Sequence, residues 1–256
     1  MLKNLNSILK KFNPISLDQM DSVKLLNRTD TKFIFNSAVL HDFLSSCYNN
    51  YNILTIDNKK IARYNTLYFD TKYFDFYHHH HNNKGNRYKV RIRKYVDSNL
   101  CFLEVKNKIK GRTVKSRKAI EDFENTLSVG SLEFVCSVMN SSKPLEKKIW
   151  NSFDRITLTN QKLKERLTID LNLSFEQNGQ QKLLNDIVIC ELKQERVNRS
   201  SPAFRILKNL QIRPSRISKY CIGSGSLNHH LKRNRFKKKF LQLDKIKSQL
   251  NQNKKL

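Results

Sequence analysis

Glycine and proline are scarce in this chain, six and four in 256 residues. Nowhere inside the body do they gather into a linker, and no segment repeats, which favours one large domain. The five cysteines, Cys47, Cys101, Cys136, Cys190 and Cys221, stand far apart with no paired spacing. That excludes a zinc knuckle and an even-numbered disulfide framework, and leaves reduced, buried thiols as the expectation. No stretch approaches the ~18 apolar residues that a membrane span needs, and no apolar run near the N-terminus resembles a signal peptide. A soluble, cytoplasmic protein is therefore expected. Acidic residues are the last shortage: 22 Asp and Glu face 49 Lys and Arg, a net charge of +27.

Such an excess calls for a polyanionic partner: nucleic acid, acidic membrane or a chain of phosphates. The total does not choose among them, because a sequence rich in Asn, Lys and Ile carries basic residues without a function behind each. Much of the excess lies in a tail, residues 229–256; from 231 onward there are ten Lys and Arg against one Asp. Phe236, Phe240, Leu243, Ile246 and Leu250 recur there at helical spacing. The pattern predicts a basic amphipathic helix that touches an acidic membrane surface, a polyanion or a protein partner, which would make the protein membrane-peripheral. A solvated helix with no partner is the other reading.

Residues 1–23 form an N-terminal segment in which Pro14, Ser16 and Leu17 mark the start of a short helix, and 24–228 form the main domain. A helix is predicted over 36–48, capped by Asn36 or Ser37, with Val39, Leu40, Phe43 and Leu44 as its apolar stripe. Another is predicted over 202–210, burying Phe204, Leu207 and Leu210. Period-2 alternation marks strands at 63–70, 87–95, 101–108, 112–121, 164–173 and 186–195, separated by turn-forming Asn, Gly, Ser and Asp. The run His78–His81 reads better as a polar loop than as a metal site.

The informative feature is which strand face the charges occupy. Arg87, Lys89, Arg91 and Arg93 share one parity, with Tyr88, Val90 and Ile92 on the other. The split recurs with Glu104 and Lys106, with Lys115 and Arg117, with Arg166, Thr168 and Asp170, and with Glu191 and Lys193. For any one strand, a half-exposed sheet with its polar face in water gives the same alternation. Five strands dominated by one sign are different, since like charges opposite one another destabilise a sheet. A polyanion between the strands would relieve that, and closing the sheet into a barrel would supply the space and remove the edges. The predicted class is thus α+β, mainly antiparallel β, a closed β-barrel tunnel flanked by helices. Arg grips phosphate oxygens in pairs and Lys acts as a movable charge. Glu191 and Glu104 either pair with neighbouring Lys and Arg or hold a divalent cation. RNA binding is disfavoured, because the aromatic residues mostly fall on the opposite parity.

Several ordered motifs from about residue 24 to 223 carry a family resemblance. They are Arg28-Thr29-Asp30-Thr31-Lys32, Tyr68-Phe69-Asp70-Thr71, Tyr77 with His80, the run Arg87 to Arg93 with Tyr95, and Leu103-Glu104-Val105-Lys106. Lys115 and Arg117, Arg155, Arg166 to Asp170, Glu191-Leu192-Lys193 and Ser218-Lys219-Tyr220 complete the set. In order and spacing the chain resembles the VTC domain, the polyphosphate polymerase module of the vacuolar transporter chaperone complex and its bacterial relatives, which is similar to the triphosphate tunnel enzymes. The resemblance implies that ATP enters a basic tunnel and passes its terminal phosphoryl group to a growing polyphosphate chain, assisted by Mn2+ or Mg2+. It implies a catalytic role for Arg91, Arg93 and Lys219. It implies phosphate contacts by Arg28, Lys32, His80, Arg87, Lys106, Lys115, Arg117, Arg155, Arg166, Lys193, Arg216 and Ser218, and a metal held by Glu191 and Glu104.

Three positions depart from the family. Hydrolytic tunnel enzymes of the CYTH type resemble one another through a Glu-x-Glu-x-Lys strand, whereas Arg28, Asp30 and Lys32 stand here; one carboxylate is lost, which favours synthesis over hydrolysis. His80 replaces an arginine, so its charge would depend on pH. Arg216 replaces a lysine and keeps the charge. The alternatives to a polymerase are a triphosphate hydrolase of the same fold and a non-catalytic polyanion binder.

Overall fold

Alternation along the strands translates directly into a curled antiparallel sheet. The computed structural model describes residues 2–20 and 28–253, with side chains over 5–20 and 28–248. Residues 21–23 of the N-terminal segment, the opening residues 24–27 of the main domain and the side chain of Leu250 lie outside the described residues.

In chain order the elements are α1 (Leu2–Lys10), β1 (Pro14–Ile15), α2 (Leu17–Met20), β2 (Thr29–Asn36), α3 (Leu40–Cys47), β3 (Asn52–Leu54) and β4 (Ala62–Asp70). There follow α4 (Asp75–His81), β5 (Arg87–Tyr95), β6 (Leu100–Ile109), β7 (Arg112–Ile120), α5 (Val129–Met139), β8 (Glu146–Asn160) and β9 (Glu165–Gln177). The rest are β10 (Gln180–Leu184), β11 (Ile187–Gln194), α6 (Pro202–Asn209), β12 (Pro214–Ser215), α7 (Lys219–Leu227) and α8 (Lys237–Asn253). The sheet runs β12-β2-β11-β9-β8-β4-β5-β6-β7. Tight turns at Lys110-Gly111 and Asn178-Gly179, all four residues at positive φ, close the β6–β7 and β9–β10 hairpins.

The predicted closed barrel is corrected to an open, curled sheet, because among the described residues no ladder joins β7 to β12. Both edges are built to stay unpaired. β12 is two residues long and begins with a proline that has no N–H to donate. β7 is exposed along most of its length and carries Arg112, Lys115, Arg117 and Lys118, the charged edge that discourages further pairing.

The convex face is covered in two parts. Phe33, Phe35, Leu158, Leu167, Ile169 and Leu192 pack under α1, α3 and α6. Leu67, Phe69, Val90, Ile92, Leu103 and Val105 pack with Val135 and Met139 of α5, a helix the periodicity did not reveal. The helix expected over 36–48 forms with Asn36 as its cap, the Oδ1 accepting from Ala38 N at 2.9 Å. The short helix after Ser16 forms too: Ser16 Oγ accepts from Gln19 N at 3.3 Å while Gln19 Oε1 accepts from Ser16 N at 3.0 Å, a capping box.

Half of the concave face is also filled. Tyr68, Ile149, Phe153, Leu173, Phe175 and Ile189 meet α7 and α8 there. Gly223 makes this approach feasible: a Cβ at that position would lie 2.3 Å from Phe175 and 2.7 Å from Ile149. The apolar stripe of the tail is thus taken up inside the fold. Phe236, Leu243 and Ile246 are buried and Phe240 partly so, and Asn36 Nδ2 donates to the Ile246 carbonyl at 2.7 Å. This corrects the expectation that the stripe faces a membrane or partner, since a face packed on the sheet is not offered to lipid. No helix among the described residues is long and apolar enough to cross a membrane.

Candidate active site

The unfilled half of the concave face is a cavity of about 680 Å³. Its walls carry fourteen Lys and Arg side chains but only three carboxylates, Asp30, Asp97 and Glu191. The cations stand in register. Lys89 faces Lys106, which faces Lys115; one step along, Arg91 faces Glu104, which faces Arg117. Across the cavity Glu191 lies between Lys32 and Thr168, and Lys193 between Asp30 and Arg166. Every inward parity read from the sequence is realised, and rows of directly opposed cations are stable only when an anion lies among them.

Two buried carboxylates hold part of this array in place. Glu104 is fully buried, bonded by Arg91 Nη2 at 2.6 Å and Nε at 2.7 Å, and paired with Lys115. Asp170 accepts a bidentate pair from Arg155 at 2.6 and 2.8 Å and pairs with Lys219. Burial pushes both carboxyls up, but the cations outweigh it and hold both well below the usual carboxylate range. Lys89, Arg93, Lys106, Arg117 and Arg166 form no ion pair among the described residues. Arg93 instead lies over the rings of Tyr64 and Phe153 at 5.5 and 5.6 Å, and Arg117 over Phe102 at 4.8 Å. Such stacking orients a guanidinium without neutralising it. The N-terminus of α7 also opens on the cavity, with Ser218 as cap and Lys219 as first residue, adding a partial positive charge.

Glu191 differs from Glu104 in reaching the cavity surface. Lys32 lies 3.2 Å and Lys193 3.5 Å from its oxygens. Burial raises Glu191, but Lys193 and Lys32 outweigh it and hold it well below the carboxylate range. Burial and then the Glu191 charge raise Asp30, which shares a hydrogen bond with Glu191. Two carboxylates crowded together at the edge of a phosphate-sized cavity fit a hard divalent cation that takes its other ligands from phosphate and water. Asp30 was absent from the expected metal set, although its parity with Lys32 was readable. Among the described residues no cluster of three metal-binding side chains exists, so any cation here depends on its substrate.

Lys193 gives the site a pH dependence. Burial lowers it to about 8, with Glu191 opposing and Arg155 adding to the fall. It is therefore charged below about pH 8 and neutral above. Because bound phosphate favours the charged form, ATP should draw in roughly half to one proton at about pH 8.5. Calorimetry in buffers of different ionisation enthalpy reads this uptake, and Lys193→Arg should reduce it.

Of the expected site residues, Arg28, Lys32, Arg91, Arg93, Lys106, Lys115, Arg117, Arg155, Arg166, Lys193, Ser218, Lys219 and Glu191 line the cavity. Glu104 does not, and its metal role is corrected to that of an internal counter-ion, because its oxygens are taken by Arg91 and Lys115. Arg87 and Arg216 also lie outside the lining; Arg87 Nη1 donates to the Lys84 carbonyl at 2.6 Å. His80 is corrected more sharply. It sits in α4, a helix rather than the expected loop, and outside the cavity. Burial first, then Lys89 and Arg87, push it down to about 2, so it carries no charge to offer a phosphate. Lys89 was passed over but lines the cavity, as do Tyr64, Tyr68, Tyr95 and Phe102. These aromatics share the inner face, against the expectation that most rings fall on the other.

Comparison with curated proteins returned no match. Among solved structures, an adenylate cyclase candidate from Bacillus halodurans superposes at a TM-score of 0.52 with 12% identity, over 75% of this chain and 94% of that one. A second, a Hippeastrum adenylyl cyclase candidate described as having a dominant triphosphatase activity, gives 0.46 and 15% identity over 77% of this chain and 95% of that one. At such identities the first likeness speaks to the fold alone. The VTC domain model matches residues 27–228. With that match spanning most of its length and the cationic cavity lying inside it, the chain belongs to the VTC domain family.

Proposed function

We propose that the protein is a polyphosphate polymerase that transfers the terminal phosphoryl group of ATP to a polyphosphate chain. The observation that carries this reading is the cavity wall, fourteen cations against three carboxylates within a VTC domain. Only a ligand with several closely spaced negative charges matches it. In the transfer, a chain-end phosphate oxygen forms a bond to the γ-phosphorus while the bond to the β–γ bridging oxygen breaks and ADP leaves. The acceptor oxygen is already anionic, so no side chain has to abstract a proton, and no histidine lines the cavity. Catalysis then rests on positioning and charge neutralisation. Arg91 and Lys219, held by Glu104 and Asp170, are fixed cations. Arg93, Lys106, Arg117 and Arg166 form no ion pair among the described residues and take phosphate oxygens. Glu191 and Asp30 would hold the divalent cation, which supplies charge neutralisation at the transferring group.

Incubation of the purified protein with ATP and Mn2+ should yield a long anionic polymer on a gel that an exopolyphosphatase removes. A folded protein that releases only inorganic phosphate would overturn the reading in favour of hydrolysis. One that binds ATP and polyphosphate without turning either over would overturn it in favour of a receptor.

A further inference from the structure

One end of the cavity has a different chemistry from the rest. Past Arg93 and Phe102, the inward row of β5 and β6 ends with Tyr95 opposite Leu100. Tyr95 packs against Tyr64 with ring centroids 4.9 Å apart and meets Phe102 edge-on at 5.9 Å. Leu54 and Ile61 line the same cavity, and Leu100 is 53% exposed. The cations at this end are already paired: Lys59 Nζ lies 2.7 Å from Asp97 Oδ1, and Arg63 Nε 3.4 Å from Asp154 Oδ1. A bare phosphate chain gains nothing from rings and aliphatic side chains, and the Asp97 carboxylate, which lines the cavity, repels it. A nucleoside gains from both. Its base has flat faces that stack on aromatic and apolar surface, and its ribose hydroxyls donate to a carboxylate.

The two ends are spaced to suit one molecule. Lys89 and Lys106 face each other six residues along β5 and β6 from Tyr95 and Leu100, roughly 20 Å at the rise of a strand. That is the span of an extended nucleoside triphosphate with part of an acceptor chain. We propose that the Phe102–Tyr95–Leu100 mouth is a nucleoside subsite. The cavity then takes a nucleoside triphosphate in one orientation, with the base at this mouth and the γ-phosphate inward beside Lys89, Lys106 and Lys115. This rests on the reading of the cavity as a phosphate site, and it adds a donor class and a direction. The acceptor chain meets the γ-phosphate from the Lys89 side, because the nucleoside occupies the other.

Binding without turnover tests it. ATP and inorganic tripolyphosphate are titrated in parallel, without divalent cation, into the wild type, Phe102→Ala and Leu100→Ser. Phe102→Ala should weaken ATP about tenfold, in line with stacking of a base, and leave tripolyphosphate within about twofold. Leu100→Ser, at an exposed position that folding does not depend on, should weaken ATP about threefold and leave tripolyphosphate unchanged. Equal losses for both ligands would mean that Phe102 acts only as a platform for Arg117 and would overturn the subsite; unchanged ATP affinity in both variants would overturn it as well. A wild type that binds neither ligand would instead bring down the phosphate-site reading, and the subsite with it.

Discussion

Glu191→Gln is expected to lower polymer synthesis by about 10²–10³-fold while tripolyphosphate binds within about fivefold of the wild type. The two effects separate because Glu191 contributes nothing attractive to a phosphate. It lies among Lys32, Lys193 and the Asp30 carboxyl, facing the ligand with like charge. Removing that charge makes the cavity more positive, but Lys193 loses the neighbour that keeps its charged form favourable, so the gain in affinity is partly offset. What disappears is the pair of carboxylates that fits a divalent cation. Chelation should bring the wild type down to the level of the variant and leave the variant where it is. Substitution at Asp30 should behave in the same way. An unimpaired Glu191→Gln enzyme would remove the metal assignment altogether.

Glu104→Gln should act on stability instead. Glu104 is fully buried between Arg91 and Lys115, with Arg93 also close enough to hold its carboxyl down. Neutralising it leaves those cations uncompensated, a loss of about 3–5 kcal/mol for breaking a buried pair. For a chain of this size that is a fall of roughly 10 °C in Tm. Saturating tripolyphosphate should then raise the Tm of the variant more than that of the wild type, because the ligand replaces the missing anion. A variant as stable as the wild type would show that the array tolerates its own repulsion. The same carboxyls predict an acid limit. Folding holds Glu104 and Asp170 below their unfolded values, so their stabilisation is complete above the ordinary carboxylate range and is lost as pH falls toward the depressed values.

Sequence and structure agree most closely where periodicity is clean. The expected strands 63–70, 87–95, 101–108 and 112–121 are observed as 62–70, 87–95, 100–109 and 112–120, with the cations on the side that their parity assigned. The longest strand, β8, escaped notice although it sits between β4 and β9. Its alternation breaks at a register shift between Ser152 and Asp154, so no single parity describes it. The motif around Asp70 suggested a site, but Asp70 is structural: it accepts from Thr71, Phe76 and Tyr77 backbone N–H groups and from the Tyr220 hydroxyl, pinning α4 to the sheet. A carboxylate that caps a helix and one that serves a ligand look alike in one dimension.

The amino-acid sequence by itself determined the strand set, the inward row of Arg and Lys, and the mismatch between that row and any neutral ligand, because a two-residue period needs only local chemistry. Tertiary structure decided three things. It left the sheet open at β7 and β12, it docked the tail's apolar stripe on the core instead of leaving it for a membrane, and it separated the two inward glutamates. Glu104 and Glu191 share a parity and basic neighbours. Only the cross-strand register, Arg91 and Arg117 around the one and Lys32 and Thr168 around the other, buries the first as a counter-ion and leaves the second at the cavity wall.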